Sequence, residues 1–132
     1  MDHEQLFNSY YGTTPSVLTE KIIITPFIPL ERFKKYCTVI SEFKGRLYSG
    51  FTASVKGKGV TVLFCGIGDR LMGDAVLLLR DTKVRELIFA GTCGALDSSG
   101  IGDFIVVEKA FDGEGFSRYH SNYFGKWGIS VR

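Results

Sequence analysis

At 132 residues the chain is long enough for one domain with a real core, and its 45% hydrophobic content excludes a disordered segment. The formal charge is only +2, and the 16 Lys and Arg are scattered among 14 Asp and Glu, which argues against a nucleic-acid-binding surface. No stretch is apolar enough to span a bilayer, and Met1-Asp2-His3-Glu4 lacks the basic-then-apolar pattern of a signal peptide.

Residues 1–20 are polar and carry Tyr10, Tyr11, Gly12 and Pro15, which reads as an arm or surface loop ahead of a domain over 21–132. Lys21-Ile22-Ile23-Ile24-Thr25 is the first expected strand, ended by Pro26. Pro29 then opens a helix expected to run to about Ile40, because Leu30, Phe33, Tyr36, Cys37 and Ile40 recur at helical spacing. From Leu47 to Val55 the pattern alternates, and Lys56-Gly57-Lys58-Gly59 turns it into Val60-Thr61-Val62-Leu63-Phe64-Cys65 as an antiparallel hairpin.

Gly66-Ile67-Gly68 allows a tight turn after that strand, and Asp69 is placed to cap a helix over 70–81. Leu71, Met72, Ala75, Val76, Leu78 and Leu79 give this helix a broad apolar face. The next apolar run, 86–91, is expected to return as a parallel strand beside 60–65, completing a right-handed βαβ unit. Two glycine-bearing strand ends then stand side by side at the carboxyl edge, where open α/β sheets bind ligands. Asp97-Ser98-Ser99-Gly100 reads as a turn into a further strand, 103–109. The expectation is an α/β fold with a mixed, twisted sheet and flanking helices. The three cysteines, Cys37, Cys65 and Cys93, each lie in or beside an apolar element, which fits buried free thiols in a reducing cytoplasm.

Familiar site patterns fail on inspection. The third glycine of a dinucleotide fingerprint is displaced to Gly73, and the next strand ends Phe89-Ala90 where a ribose-binding acid belongs. Gly73 is followed by Asp74 and Ala75, which rules out a P-loop. His3 and His120 are far apart and no two cysteines are close, so no metal site and no cofactor is expected. No nucleophile-elbow pentapeptide accompanies a Ser-His-Asp set.

A more specific set remains: Lys56-Gly57, Gly66-Ile67-Gly68, Gly91-Thr92-Cys93-Gly94-Ala95, Gly102-Asp103-Phe104-Ile105-Val106 and Asp112-Gly113, in this order. It resembles the purine/uridine phosphorylase and nucleosidase superfamily over about residues 21–120, the front half of proteins about twice this length. The resemblance implies cleavage of a nucleoside's N-glycosidic bond through an oxocarbenium-like sugar. It makes Gly66, Gly68, Gly91 and Thr92 donors to a phosphate or water on one face of that sugar, the alternative being that the glycines only serve tight βα turns. Phe116, Arg118 and Tyr119 fall in the family's loop around the nucleoside. Phe89 stands where phosphorylases commonly carry a phosphate-binding arginine, and Glu31 falls near the position of a nucleosidase's catalytic base. An insertion of one residue would put Arg32 there instead, and a first-turn acid on a helix is an equally good account of Glu31.

The expected partners are a nucleoside and inorganic phosphate or water, with further copies of the chain in a homo-oligomer; hydrolysis is favoured over phosphorolysis. The family's ribose-binding Met-Glu segment and its leaving-group Asp belong to a further segment, so the chain is expected to be the front part of a longer enzyme. The alternative is a non-catalytic module that binds a nucleoside or a protein partner on the same fold.

Overall fold

The computed structural model describes residues 2–96 and 98–107. Two compact units divide the chain after Gly91. The first holds all the regular structure among the described residues: α1 (His3–Tyr11), a single 3-10 turn (Pro15–Val17), β1 (Lys21–Thr25), α2 (Leu30–Lys34), β2 (Thr38–Lys44), β3 (Ser49–Val55), β4 (Lys58–Phe64), α3 (Asp69–Leu79) and β5 (Glu86–Phe89).

The five strands form one mixed sheet in the order β2-β3-β4-β1-β5. β2, β3 and β4 are antiparallel, and β1 runs parallel to both β4 and β5. The mixed sheet with helices agrees with the sequence, but the expected pairing of 60–65 with 86–91 does not hold. Those strands are parallel, and β1 lies between them: Ile22 pairs with Thr61 on one side and Leu87 on the other. The physical reason lies in the run Ile22-Ile23-Ile24, which is apolar on both faces and suits an interior position better than an edge. Interior it is, with Ile22 and Ile24 fully buried.

The β3–β4 hairpin closes on two residues. Lys56 and Gly57 both have positive φ, +49° and +77°, which is the turn whose twist matches that of the strands it joins. On one face of the sheet, Phe51, Ala53 and Val62 bury against Leu30 and Phe33 of α2 together with Cys37, Val39 and Val60.

α2 is far shorter than the helix expected to reach Ile40. Thr38-Val39-Ile40 is β-branched throughout, and 38–44 pairs with β3 instead. Register slips between Val39 and Ser41, so Ile40 is an inserted bulge residue and stands exposed, as does Tyr36. Neither residue belongs to a core-facing stripe.

The expected N-terminal arm is also corrected. Asp2 accepts from the Gln5 amide at 2.8 Å, and Gln5 Oε1 accepts from the Asp2 amide at 3.2 Å, a reciprocal cap on α1. Phe7 and Tyr11 are completely buried, and their rings stack at 4.1 Å. Gly12 ends the helix at φ +71°, where a Cβ would collide with the backbone of Lys44 and Gly45. The amides of Arg46, Leu47 and Tyr48 donate to the carbonyls of Ser9 and Tyr10, so the β2–β3 loop satisfies the last carbonyls of α1. α1 is part of the core because both of its ends are closed and its one apolar pair is buried.

In the second unit the described residues, 92–96 and 98–107, contain no helix or strand. The turn falls at Gly100–Asp103, where the Asp103 amide donates to Gly100 O and the Gly100 amide to the Asp103 carboxylate. Residues 103–107 of the expected strand 103–109 are exposed and unpaired in any sheet, and 108–109 lie outside the described residues. Among the described residues no helix is long and apolar enough to cross a membrane.

Candidate functional site at the carboxyl edge

The parallel strands β4, β1 and β5 all end on one edge of the sheet, with Thr25 beside Phe64 and Ile24 beside Phe89. The chain leaves that edge at three places. After β4 it runs through Cys65 into Gly66-Ile67-Gly68, after β1 through Pro26 into α2, and after β5 through Ala90 to Gly91.

Backbone bonds tie these exits to β1. The Cys65 amide donates to Thr25 O at 3.0 Å, and the Ala90 amide donates to Ile24 O at 2.8 Å. Thr25 is completely buried, and its hydroxyl accepts from the Ile28 amide at 3.1 Å, which fixes the 26–29 turn. Cys65 is buried beneath the edge with its thiol on Thr25 O, and burial pushes that thiol above its ordinary pKa. Such a thiol is a weak nucleophile. Of the other cysteines, Cys37 is half-buried and Cys93 is exposed, so burial of all three thiols is not what the fold produces. All three are free.

Gly66 and Gly68 take φ of +78° and +134°, values that L side chains rarely adopt. A Cβ at Gly66 would lie 3.3 Å from Leu71 Cδ1, whereas one at Gly68 would meet open space. Gly68, rather than Asp69, is the N-cap of α3, and as a glycine it offers no side-chain cap. Asp69 is already the first helical residue and its carboxylate accepts from the Arg70 amide at 2.7 Å. The turn therefore presents a glycine backbone and the positive end of a helix at the carboxyl edge, an arrangement suited to an anion or a polarised water.

The remaining expected residues are placed as follows. Gly91 is exposed just past β5, so the two glycine-bearing ends flank β1 instead of touching side by side. Thr92 opens the second unit and is exposed. Phe89, the last residue of β5, is 58% exposed. Glu31 lies in the first turn of α2 with its carboxylate 2.8 Å from Lys34 Nζ. Lys34 is bound equally closely by Glu42 of β2 and sits 5.7 Å from the Phe51 ring centroid. The paired carboxylates raise the Lys34 pKa, Glu31 contributing first. Glu31 is thus drawn toward the β2 side of the sheet, the end away from β5. Phe116, Arg118 and Tyr119 lie outside the described residues. Among the described residues no group of His, Cys, Asp and Glu is arranged to hold a metal.

Two buried tyrosines behind α3, Tyr48 and Tyr11, were not legible in the sequence as supports of that helix. Both are buried, and their hydroxyls donate to α3 carbonyls, Tyr48 to Leu71 O at 3.0 Å and Tyr11 to Ala75 O at 2.9 Å. Burial raises both phenol pKa values above their ordinary range, so both remain donors at neutral pH.

A family model for the phosphorylase superfamily matches residues 21–126. The chain belongs to that superfamily. Among solved structures, uridine phosphorylase from Vibrio fischeri ES114 complexed with 6-hydroxy-1-naphthoic acid is 25% identical, with a TM-score of 0.67 over 80% of this chain and 45% of that one. A second structure of that enzyme gives 0.65 at 25% identity over 80% of this chain and 46% of that one. Purine nucleoside phosphorylase from Toxoplasma gondii in complex with immucillin-H, 22% identical, shares the fold at a TM-score of 0.51 over 62% of this chain and 34% of its own. The phosphorylase-superfamily chain described here spans less than half the length of these structures. No curated protein matches it significantly.

Proposed function

We propose that this chain is the front part of an enzyme that cleaves the N-glycosidic bond of a nucleoside, with water preferred over phosphate as the attacking group. The observation that carries the reading is the capless, glycine-backed N-terminus of α3, set at the carboxyl edge of a phosphorylase-superfamily sheet. Loss of the base leaves positive charge on the sugar, and the attacking group must wait on one face with its own charge or lone pairs aimed. Gly66 and Gly68 supply backbone donors for that group from one side of β1, and Gly91 with Thr92 supplies them after β5. Phe116 and Tyr119 are proposed to line the nucleoside and Arg118 to meet a polar edge of it.

Phosphate needs cations or several aimed donors when it is buried. Phe89 offers none where the resemblance expects arginine, and the loss of one charge-assisted contact costs about 1.5–3 kcal/mol. Water needs only a base, and Glu31 is the proposed one. Its resting bond to Lys34 must then break before it can take a proton. Phosphorolysis is the second reading. Arg70 favours it, because it stands exposed in the first turn of α3 two residues past Gly68, as does the uridine phosphorylase named above. Free thiols at all three cysteines support a cytoplasmic setting, and the exposed edge strands β2 and β5 support a homo-oligomer.

The experiment is base release from adenosine, inosine, uridine and methylthioadenosine by the full-length protein, with and without inorganic phosphate. Release without phosphate, abolished by Glu31→Gln in a protein that still folds, is the expected result. Strict dependence on phosphate with ribose 1-phosphate as product refutes the hydrolytic reading. Tight calorimetric binding of a nucleoside without any cleavage refutes the enzyme reading and leaves a binding module.

A further inference from the structure

The geometry points to Tyr48 as a positioning residue for the attacking group, one that acts through Leu71 on the Gly66–Gly68 turn and touches neither substrate nor attacking group. The inference rests on the nucleoside-cleaving reading of that turn. Gly66 and Gly68 both occupy positive φ, a pair of glycines is the softest joint a backbone can have, and α3 begins without a side-chain cap. Within the first turn only the Asp69 carboxylate on the Arg70 amide and the Met72 amide on Gly68 O hold the helix start, so the aim of its amides depends on what anchors α3 as a whole. An aimed donor is effective in proportion to how little it must reorganise.

Tyr48 is one such anchor. Its hydroxyl donates to the carbonyl of Leu71, the third residue of α3, and the Leu71 side chain is the group packed over Gly66, 3.3 Å from where a Cβ there would stand. Tyr48 itself is held from several sides. Its amide donates to Tyr10 O at 3.0 Å, its carbonyl accepts from the Gly45 amide at 2.8 Å, and its ring lies 4.8 Å from that of Tyr11 and edge-on to that of Tyr10. A contiguous path thus runs from the aromatic cluster of α1 and the β2–β3 loop through one buried hydroxyl to the joint that carries the donors. Tyr11 supplies an internal control. It makes the same kind of bond to the same helix, but to Ala75 O, one turn further from the glycines.

The test compares Tyr48→Phe with Tyr11→Phe in the full-length protein. Each keeps the ring and deletes one hydroxyl, so both variants fold and both are destabilised. Only Tyr48→Phe is expected to lower kcat, by roughly tenfold with nucleoside KM within about twofold, because a displaced donor is felt in the transition state and not in nucleoside binding. In nitrogen-correlated spectra, Tyr48→Phe is expected to shift the Gly66 and Gly68 amides while Tyr11→Phe leaves them in place. Equal kcat losses in the two variants, or equal amide shifts, overturn the proposal and leave both tyrosines merely structural. If the wild-type protein cleaves no nucleoside, the functional reading fails, and the amide shifts alone decide whether Tyr48 positions the turn.

Discussion

Replacement of Phe7 by alanine tests whether the first helix is part of the core. Phe7 is completely buried, stacked on Tyr11 at 4.1 Å with the ring planes within 10° of parallel. Phe→Ala at such a site typically costs about 3–5 kcal/mol, the lost transfer energy plus the cavity left behind. The stacked pair adds roughly 1 kcal/mol. Set against a total stability of about 5–15 kcal/mol, this is a large fraction of what holds the domain folded. For a domain between the sizes at which each kcal/mol moves the midpoint by about 4–8 °C and by about 2–4 °C, Tm is expected to fall by roughly 9 °C or more. The measurement is thermal and urea unfolding followed by circular dichroism. Asn8→Ala, at the exposed neighbouring position, is the control and should stay within about 0.5 kcal/mol of wild type. If Phe7→Ala behaves like Asn8→Ala, α1 does not contribute to the core and the reasoning is wrong.

Gly12→Ala should destabilise by more than the roughly 1–2 kcal/mol of left-handed strain, since the added methyl meets the Lys44 carbonyl and the Gly45 amide. Gly12→Asn, which tolerates that φ better, should not rescue it, and urea midpoints for the two variants separate conformation from space. Stability should also fall in alkali. Cys65, Tyr11 and Tyr48 all have folded-state pKa values raised by burial, so they contribute fully below the unfolded values of 9.0 for the thiol and 10.0 for the phenols. That contribution is lost as pH rises past those values. Urea midpoints should be flat from pH 7 to about 9 and decline above it, and Tyr11→Phe should make the decline shallower.

What the sequence made legible was local. Ile22-Ile23-Ile24, the Lys56-Gly57 hairpin and the helix following Gly68 each carry their period and their punctuation within a dozen residues, and each appears where expected. Strand order was not legible, because whether β1 enters between β4 and β5 depends on which apolar surfaces are left to cover once the hairpin and α3 have formed. At 30–40 two periods compete. Leu30, Phe33 and Cys37 do line a helix-spaced stripe against the core, but β-branched residues from Thr38 onward favour the ladder with β3. α1 was hidden by its polarity, although Asp2 and Gln5 already had the spacing of a capping pair and Phe7 and Tyr11 that of one buried face. Of the candidate site, the glycine turn was legible as a turn, and the bond from Tyr48 to α3 was not. A phenol in a strand-like stretch gives no sign that its hydroxyl will end on a helix carbonyl.

The insertion of β1 between two later strands also sets an order of events. Ile22, Ile23 and Ile24 leave the ribosome early, yet their partners on one side, Thr61, Val62 and Leu63, and on the other, Leu87, Ile88 and Phe89, are made well afterwards. The β3–β4 hairpin closes locally and fast, whereas β1 must wait for two long loops to close. Until then one of the most adhesive stretches in the nascent chain stays uncovered. That delay, with residues 22–24 uncovered until residue 89 has been made, is the kinetic cost of putting the first strand in the middle.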